Sequence, residues 1–211
     1  MSGAVVKGHE MMRRLLFALA LVFFAVGPVK AAEAPRDTIV RFYDVLQDVM
    51  KNGKQLGFQG REEKLAPVID SVFNMPEMTR LTLGAAGKSL APEQVTALTD
   101  AFRRYTVASY ADNFDDFNGE KFAVGETRPA PNGALVVLSK LTPSGGAPAV
   151  SLDYVMREND GRWGIVDILM DGSVSQVAMR RSEFVSLLRR EGFDTLLKTI
   201  EGKTKALGTK G

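Results

Sequence analysis

From residue 35 onward, apolar side chains recur at helical spacing. Ile39, Phe42, Tyr43, Leu46, Val49 and Met50 stand three and four apart, which predicts a helix with one buried face. Pro35 opens it, Asp37 is its expected cap and Asn52-Gly53 its stop. Residues 55–60 read as a polar, glycine-containing link. A second helix is expected from about Arg61, with Leu65, Val68, Ile69, Val72 and Phe73 inward and Pro67 near its first turn. Residues 73–84 (F-N-M-P-E-M-T-R-L-T-L-G) predict a short helix starting at Pro76 and ending before Gly84. Its two methionines, Met75 and Met78, suit a surface that adapts its shape, with core filling an equal reading. Pro92 starts what reads as the longest helix, to about Phe114, with Val95, Leu98, Phe102, Tyr105 and Ser109 as one stripe.

At Lys121 the period changes to two. Strands are predicted at 122–128, 134–141, 149–158 and 162–170, separated by P-A-P-N-G, T-P-S-G-G-A-P and N-D-G, which are hairpin signals. In the third, Val150, Leu152, Tyr154 and Met156 alternate with Ser151, Asp153, Val155 and Arg157. In the fourth, simple alternation sends Trp163, Ile165, Asp167 and Leu169 one way and Gly164, Val166, Ile168 and Met170 the other. Asp171-Gly172-Ser173 is turn chemistry, with Ser173 or Ser175 able to cap a helix over 174–191. That helix resumes after Gly192 through Phe193, Leu196, Leu197 and Ile200. Helices, then four antiparallel strands, then helices predict an α+β fold with helices laid on one face of a curved sheet.

The chain has 211 residues, enough for one domain with a self-sufficient core, and 45% apolar and 25% charged residues, an ordinary globular composition. Its formal charge of +2 misleads. Arg13-Arg14, twelve apolar residues to Val26, Pro28 and the small residues around Ala31 and Ala32 have the build of a secretory signal peptide over residues 1–32. Residues 1–10 read as an upstream extension ahead of Met11 and Met12. An uncleaved anchor is the alternative, but twelve residues span only about 18 Å against a hydrocarbon core of roughly 30 Å. Taking away the four basic residues and one acidic residue of that segment, from totals of 27 and 25, leaves 23 and 24, a net of −1. Such a chain has no electrostatic case for nucleic acid. A single domain is expected over 33–205, with a flexible tail at 206–211.

There is no cysteine, and the only histidine is His9, inside the leader. The exported chain therefore has no Ser-His-Asp or Cys-His machinery, no disulfide and no ordinary transition-metal site. Asp112 to Glu120 is acidic, but its spacing departs from a calcium loop. Asp153 and Asp167, on neighbouring predicted strands, are the remaining acid/base pair, weighed against ordinary pairing with Arg157, Arg162 or solvent. Nothing requires catalysis or a cofactor. Apolar stripes roofing a sheet can instead enclose a dry cavity.

The W-x-I-x-D strand at 163–167, the turn at Asp171-Gly172-Ser173 and the Arg181-Ser182-Glu183-Phe184 helix resemble the MlaC/toluene-tolerance family of periplasmic lipid carriers. So do residues 73–84 and the pattern Phe102, Tyr105, Tyr110, Ala111. Members usually place Asn-Tyr before Arg-Ser-x-Phe; here Met179-Arg180 stands there. The chain is most similar to the hopanoid-biosynthesis branch, HpnM. The resemblance implies an NTF2-like cup holding lipid tails, hopanoid or phospholipid, with the head group near solvent. It also implies docking to an inner-membrane ABC transporter complex and an outer-membrane lipoprotein. By that analogy the tails lie against Phe73, Met78, Leu81, Phe102, Tyr105, Leu152, Tyr154, Trp163, Ile165 and Val177. Arg180 and Arg181 take a docking or head-group role, or stand as a solvated helix face. Two readings compete with the carrier: a non-catalytic adaptor with a filled core, and an enzyme using Asp153 and Asp167.

Overall fold

The first helix, α1 (Pro35–Lys51), lies across the inner face of a sheet and buries Ile39, Phe42, Tyr43, Leu46, Val49 and Met50 there, as the spacing predicts. The computed structural model describes residues 33–209, so the leader read over 1–32 lies outside them. Asp37 is not the cap of α1: Ala34 holds that position without a side-chain bond, and Asp37 sits inside the first turn, where an acid suits the helix dipole.

Helix α2 (Gly53–Val72) replaces the expected link. Residues 55–60 are helical on both sides of Gly57, whose φ of 62° breaks the run. Such a backbone is open to glycine at no steric cost, so a glycine-bearing polar stretch can continue a helix with a kink as readily as end it. Pro67 accordingly lies in the interior of α2, where its ring removes one intrahelical hydrogen bond. Leu65, Val68, Ile69 and Val72 are buried. So is Arg61, whose Nε donates to the carbonyl of Ala111 at 2.8 Å and whose guanidinium also donates to that of Gly53 at 2.9 Å.

Helix α3 (Met75–Leu83) is capped by Asn74, which accepts from the amide of Glu77 at 3.0 Å. A 3-10 stretch, Gly84–Ser89, leads to α4 (Pro92–Asn113). The strands are β1 (Lys121–Pro129), β2 (Leu135–Thr142), β3 (Val150–Asn159), β4 (Arg162–Met170) and β5 (Val174–Ser175), in that spatial order and antiparallel throughout. The sheet thus has five strands where four were expected. Val174 pairs with Met170 instead of starting the helix. Helix α5 (Gln176–Leu207) follows, capped by Ser175 and broken only at Gly192, φ 84°. It outruns α4 and carries the chain beyond residue 205 as helix.

The strict alternation expected for β4 fails at one residue. Val155 pairs with Asp167 but Met156 pairs with Ile165, so Val166 is an extra residue bulged out of the ladder. Past the bulge the faces exchange. Ile168 pairs with Tyr154 and Met170 with Leu152 on the inner face, alongside Trp163 and Ile165, while Asp167 and Leu169 turn outward. The free edge of β4 is covered by Phe73, which bridges to Ile165, and by the Asn74 amide, which donates to the Ile165 carbonyl at 2.9 Å.

The core sits between α1, α2 and the sheet. Phe42 is its hub, with ring centroids 5.7 Å from Phe73, 5.4 Å from Tyr110 and 6.3 Å from Tyr154, all edge-on. Each fully buried side chain of this size stabilises the fold by roughly 1.5–3 kcal/mol.

Candidate functional site

The inner face is not filled everywhere. Between α4, the first turn of α5 and strands β2 to β4 lies a cavity of about 410 Å³. Nine of its twelve lining residues are aliphatic or aromatic, among them Phe114, Leu141, Val150, Leu152, Tyr154 and Ile168. A smaller cavity of about 120 Å³ continues it toward α3, between Phe73, Met78, Phe102, Tyr105, Val177 and Arg180. Ser109, Tyr110, Ile168 and Gln176 belong to both walls, so these four side chains form the waist at which the two spaces adjoin. The larger part falls in the range of roughly 300–1,000 Å³ usual for small-molecule sites.

Helix periodicity places the α4 wall. Tyr105, Ser109 and Asn113 follow at steps of four and therefore share a side. The sheet wall exists because of the β4 bulge: without it Ile168 and Met170 would face away from the cavity. The waist is also where polar atoms meet the apolar lining. Ser109 Oγ is buried and has no hydrogen-bond partner among the described residues. Burial pushes the phenols of Tyr110 and Tyr154 well above their ordinary range, so both stay neutral donors at the cavity wall. Tyr43, raised by burial as well, bonds Ser139 Oγ at 2.6 Å.

Seven of the ten side chains expected to hold lipid tails line this space: Leu152 and Tyr154 the larger part, Phe73, Met78, Phe102, Tyr105 and Val177 the smaller. The other three do not. Ile165 is fully buried in the core beside Phe73. Trp163 is half-buried at the far end of β4, and Leu81 is half-buried on α3 with its carbonyl held by Arg181. Arg180 stands at the rim of the smaller part. Its guanidinium lies 4.8 Å from the Tyr105 ring centroid and donates to the Tyr105 hydroxyl at 3.0 Å and to Glu183 at 3.3 Å. Arg181 is turned away, donating twice to the Leu81 carbonyl at 2.9 and 2.6 Å.

Asp153 and Asp167 are each engaged by their own local donors. Asp153 accepts from the Ser139 amide and the Ser151 hydroxyl, each at 3.0 Å. Asp167 accepts from Ser175 Oγ at 2.5 Å and from the Val177 amide at 3.0 Å, which fastens the start of α5 to the sheet. Both carboxylates hold backbone in place. Among the described residues no cluster of His, Cys, Asp and Glu is arranged to hold a metal.

Ser109, Tyr110, Ile168 and Gln176 carry the site, yet none of them was expected to hold the tails. Ser109 and Tyr110 were visible in the α4 stripe and the aromatic pattern. Ile168 was assigned to the wrong face by the unseen bulge, and nothing in sequence marks Gln176 as a wall.

An antiparallel sheet roofed by helices, with a largely apolar space between them, defines a cup of the NTF2-like type. The chain belongs to the MlaC family, whose description is MlaC protein and whose pattern matches residues 41–202. Among curated proteins no relative matches. A solved structure of similar fold is the phospholipid-binding protein from Ralstonia solanacearum in complex with a phospholipid. It has a TM-score of 0.69 and 20% identity, over 83% of this chain and 99% of that one.

Proposed function

We propose that this protein is a non-catalytic carrier that takes the acyl chains of a phospholipid into the two-part cavity and leaves the head group at the rim. The observation that carries this reading is the mostly apolar space at the α4–sheet junction. The family membership and the phospholipid in the Ralstonia protein support it. Each methylene withdrawn from water contributes about 0.8 kcal/mol, so an acyl chain supplies on the order of 10 kcal/mol without any polar contact. Arg180, at the rim, suits a lipid phosphate, and the unpartnered Ser109 hydroxyl suits an ester carbonyl at the waist.

The leader sequence supports export to the periplasm, where a lipid moving between inner and outer membranes needs such a shield. Loading from an ABC transporter complex and delivery to an outer-membrane lipoprotein complete the proposal, with Arg181 on the docking face. Detergent-free purification followed by native and denaturing lipid mass spectrometry tests it. Phospholipid at a one-to-one ratio is expected. Hopanoid in its place would keep the carrier and move the protein to the hopanoid branch. An empty protein that takes up neither would overturn the reading and favour the adaptor.

A further inference from the structure

The large apolar side chains that the fold leaves exposed are gathered in one short stretch. Met170 is 38% exposed, Val174 46% and Met179 56%, and no other large apolar side chain among the described residues is exposed. Met170 and Val174 face each other across the β4–β5 hairpin, and Met170 also lines the larger part of the cavity. Met179 lies one turn into α5, its sulfur 3.7 Å from Nε2 of Gln176, which lines both parts. Met170 and Val174 thus border the larger part of the cavity and Met179 borders its Gln176 wall, one exposed apolar ridge along residues 170–179. Single exposed apolar residues need no explanation, but a cluster at a mouth does.

The flank of this ridge is basic, although the chain from residue 33 onward is slightly acidic. Between Met170 and Arg190 four arginines stand against Asp171 and Glu183, and Glu183 is held by Arg180 and Lys203. Met179, Ser186 and Arg190 lie seven and eleven residues apart on α5 and so share one helix face. Arg181, Arg189 and Arg190 line a groove of about 580 Å³ against Gly84–Ala86, and no carboxylate lines it. Of these, Arg181 also donates to the Leu81 carbonyl and Arg190 approaches Glu191 at 3.9 Å.

We propose that Met170, Val174 and Met179, with the groove arginines, dock the protein on a bilayer containing anionic phospholipid. The ridge sinks to the head-group boundary, and the arginines take lipid phosphates. The ridge offers no Trp, Tyr or Phe anchor of the kind that dominates protein interfaces. Its place at the mouth gives an acyl chain a path from bilayer to cavity that does not cross water. The purpose of the surface rests on the carrier reading; its existence is testable alone.

The test is flotation with vesicles, using protein without its first 32 residues, since the core among the described residues runs from Ile39 to Ile200. Vesicles of phosphatidylcholine and phosphatidylglycerol in equal parts should carry the protein upward, and pure phosphatidylcholine should carry much less. Val174→Ser with Met179→Ser should weaken binding to the mixed vesicles on the order of tenfold. Arg189→Ala with Arg190→Ala should weaken it by about tenfold at low salt and less at high salt. All four side chains are exposed, so thermal melting should not move, and it is measured alongside. A wild type that does not float, or variants that float equally well, would overturn the proposal. So would a dimer broken by the ridge substitutions in a protein that ignores vesicles, which would assign the ridge to a second copy. A protein that carries lipid but does not float loses this inference and keeps the carrier; one that floats but carries none does the reverse.

Discussion

Helices α1 and α4 both turn apolar side chains toward the inner face of the same sheet, but the space under α1 is filled except beside Tyr43, and the space beside α4 from Phe102 to Phe114 is open. Ile39, Phe42, Leu46 and Val49 of α1 are fully buried. The cavity-lining positions of α4 instead mix aromatic rings with Ser109 and, at the exposed end, Asn113, and α5 adds Gln176 to the opposite wall. A short side chain at an inward position leaves volume that its neighbours cannot reach. The apolar stripe of α1 is unbroken while that of α4 is interrupted by polar side chains, so the cleanness of the pattern and the size of the residues together separate core from cavity.

This contrast can be broken most sharply from the filled side. Leu46→Ala should lower unfolding stability by about 2–5 kcal/mol in a denaturant titration, because the close-packed surroundings cannot collapse into the gap. Gly53→Ala comes next. A Cβ there would lie 1.9 Å from the Asp115 carbonyl oxygen, where the α1–α2 turn meets the chain after α4. A loss of about 1–3 kcal/mol is expected, with the same titration as the check. On the open side, Leu152→Ala should cost only about 1 kcal/mol, since that side chain already borders empty space. Its effect should appear instead as a lower ratio of lipid to protein after purification. Equal stability losses for Leu46 and Leu152 would erase the distinction between the two halves.

The smallest expected effect concerns pH. Hydrogen bonding to Arg80, with Arg157 of β3 nearby, holds the Glu77 carboxyl below its ordinary value, against the opposing effect of burial. A lowered folded-state pKa gives stability that is present above the unfolded value, near 4.5, and lost as pH falls through the lower one. Melting temperature should therefore drop on acidification below that value. Glu77→Gln should flatten that part of the drop while leaving the protein less stable at neutral pH.

Much of this fold is local and therefore visible in the chain. The apolar face of α1, the hairpin signals between β1 and β4, and the Pro76 and Pro92 helix starts depend on neighbours a few residues away. What escaped depends on distant partners. Val166 bulges because β3 and β4 must satisfy two registers at once, and no residue type announces it. Arg61 reads only as the start of a helix, and its burial depends on the Ala111 carbonyl, fifty positions on, which accepts from its Nε. Gly57 reads as part of a link, yet helix continues beyond it because packing on either side outweighs the break. The stripe that lines the cavity was legible; the emptiness in front of it was not.

The central claim is that the open half binds acyl chains, and filling the waist tests it most directly. Ser109→Phe places a ring where both parts of the cavity meet and where the native hydroxyl has no partner. Native mass spectrometry of wild type and variant, with circular dichroism to confirm folding, reads the outcome. The account predicts one phospholipid on the wild type and none on a folded Ser109→Phe protein. A folded variant that keeps its full lipid load would contradict it.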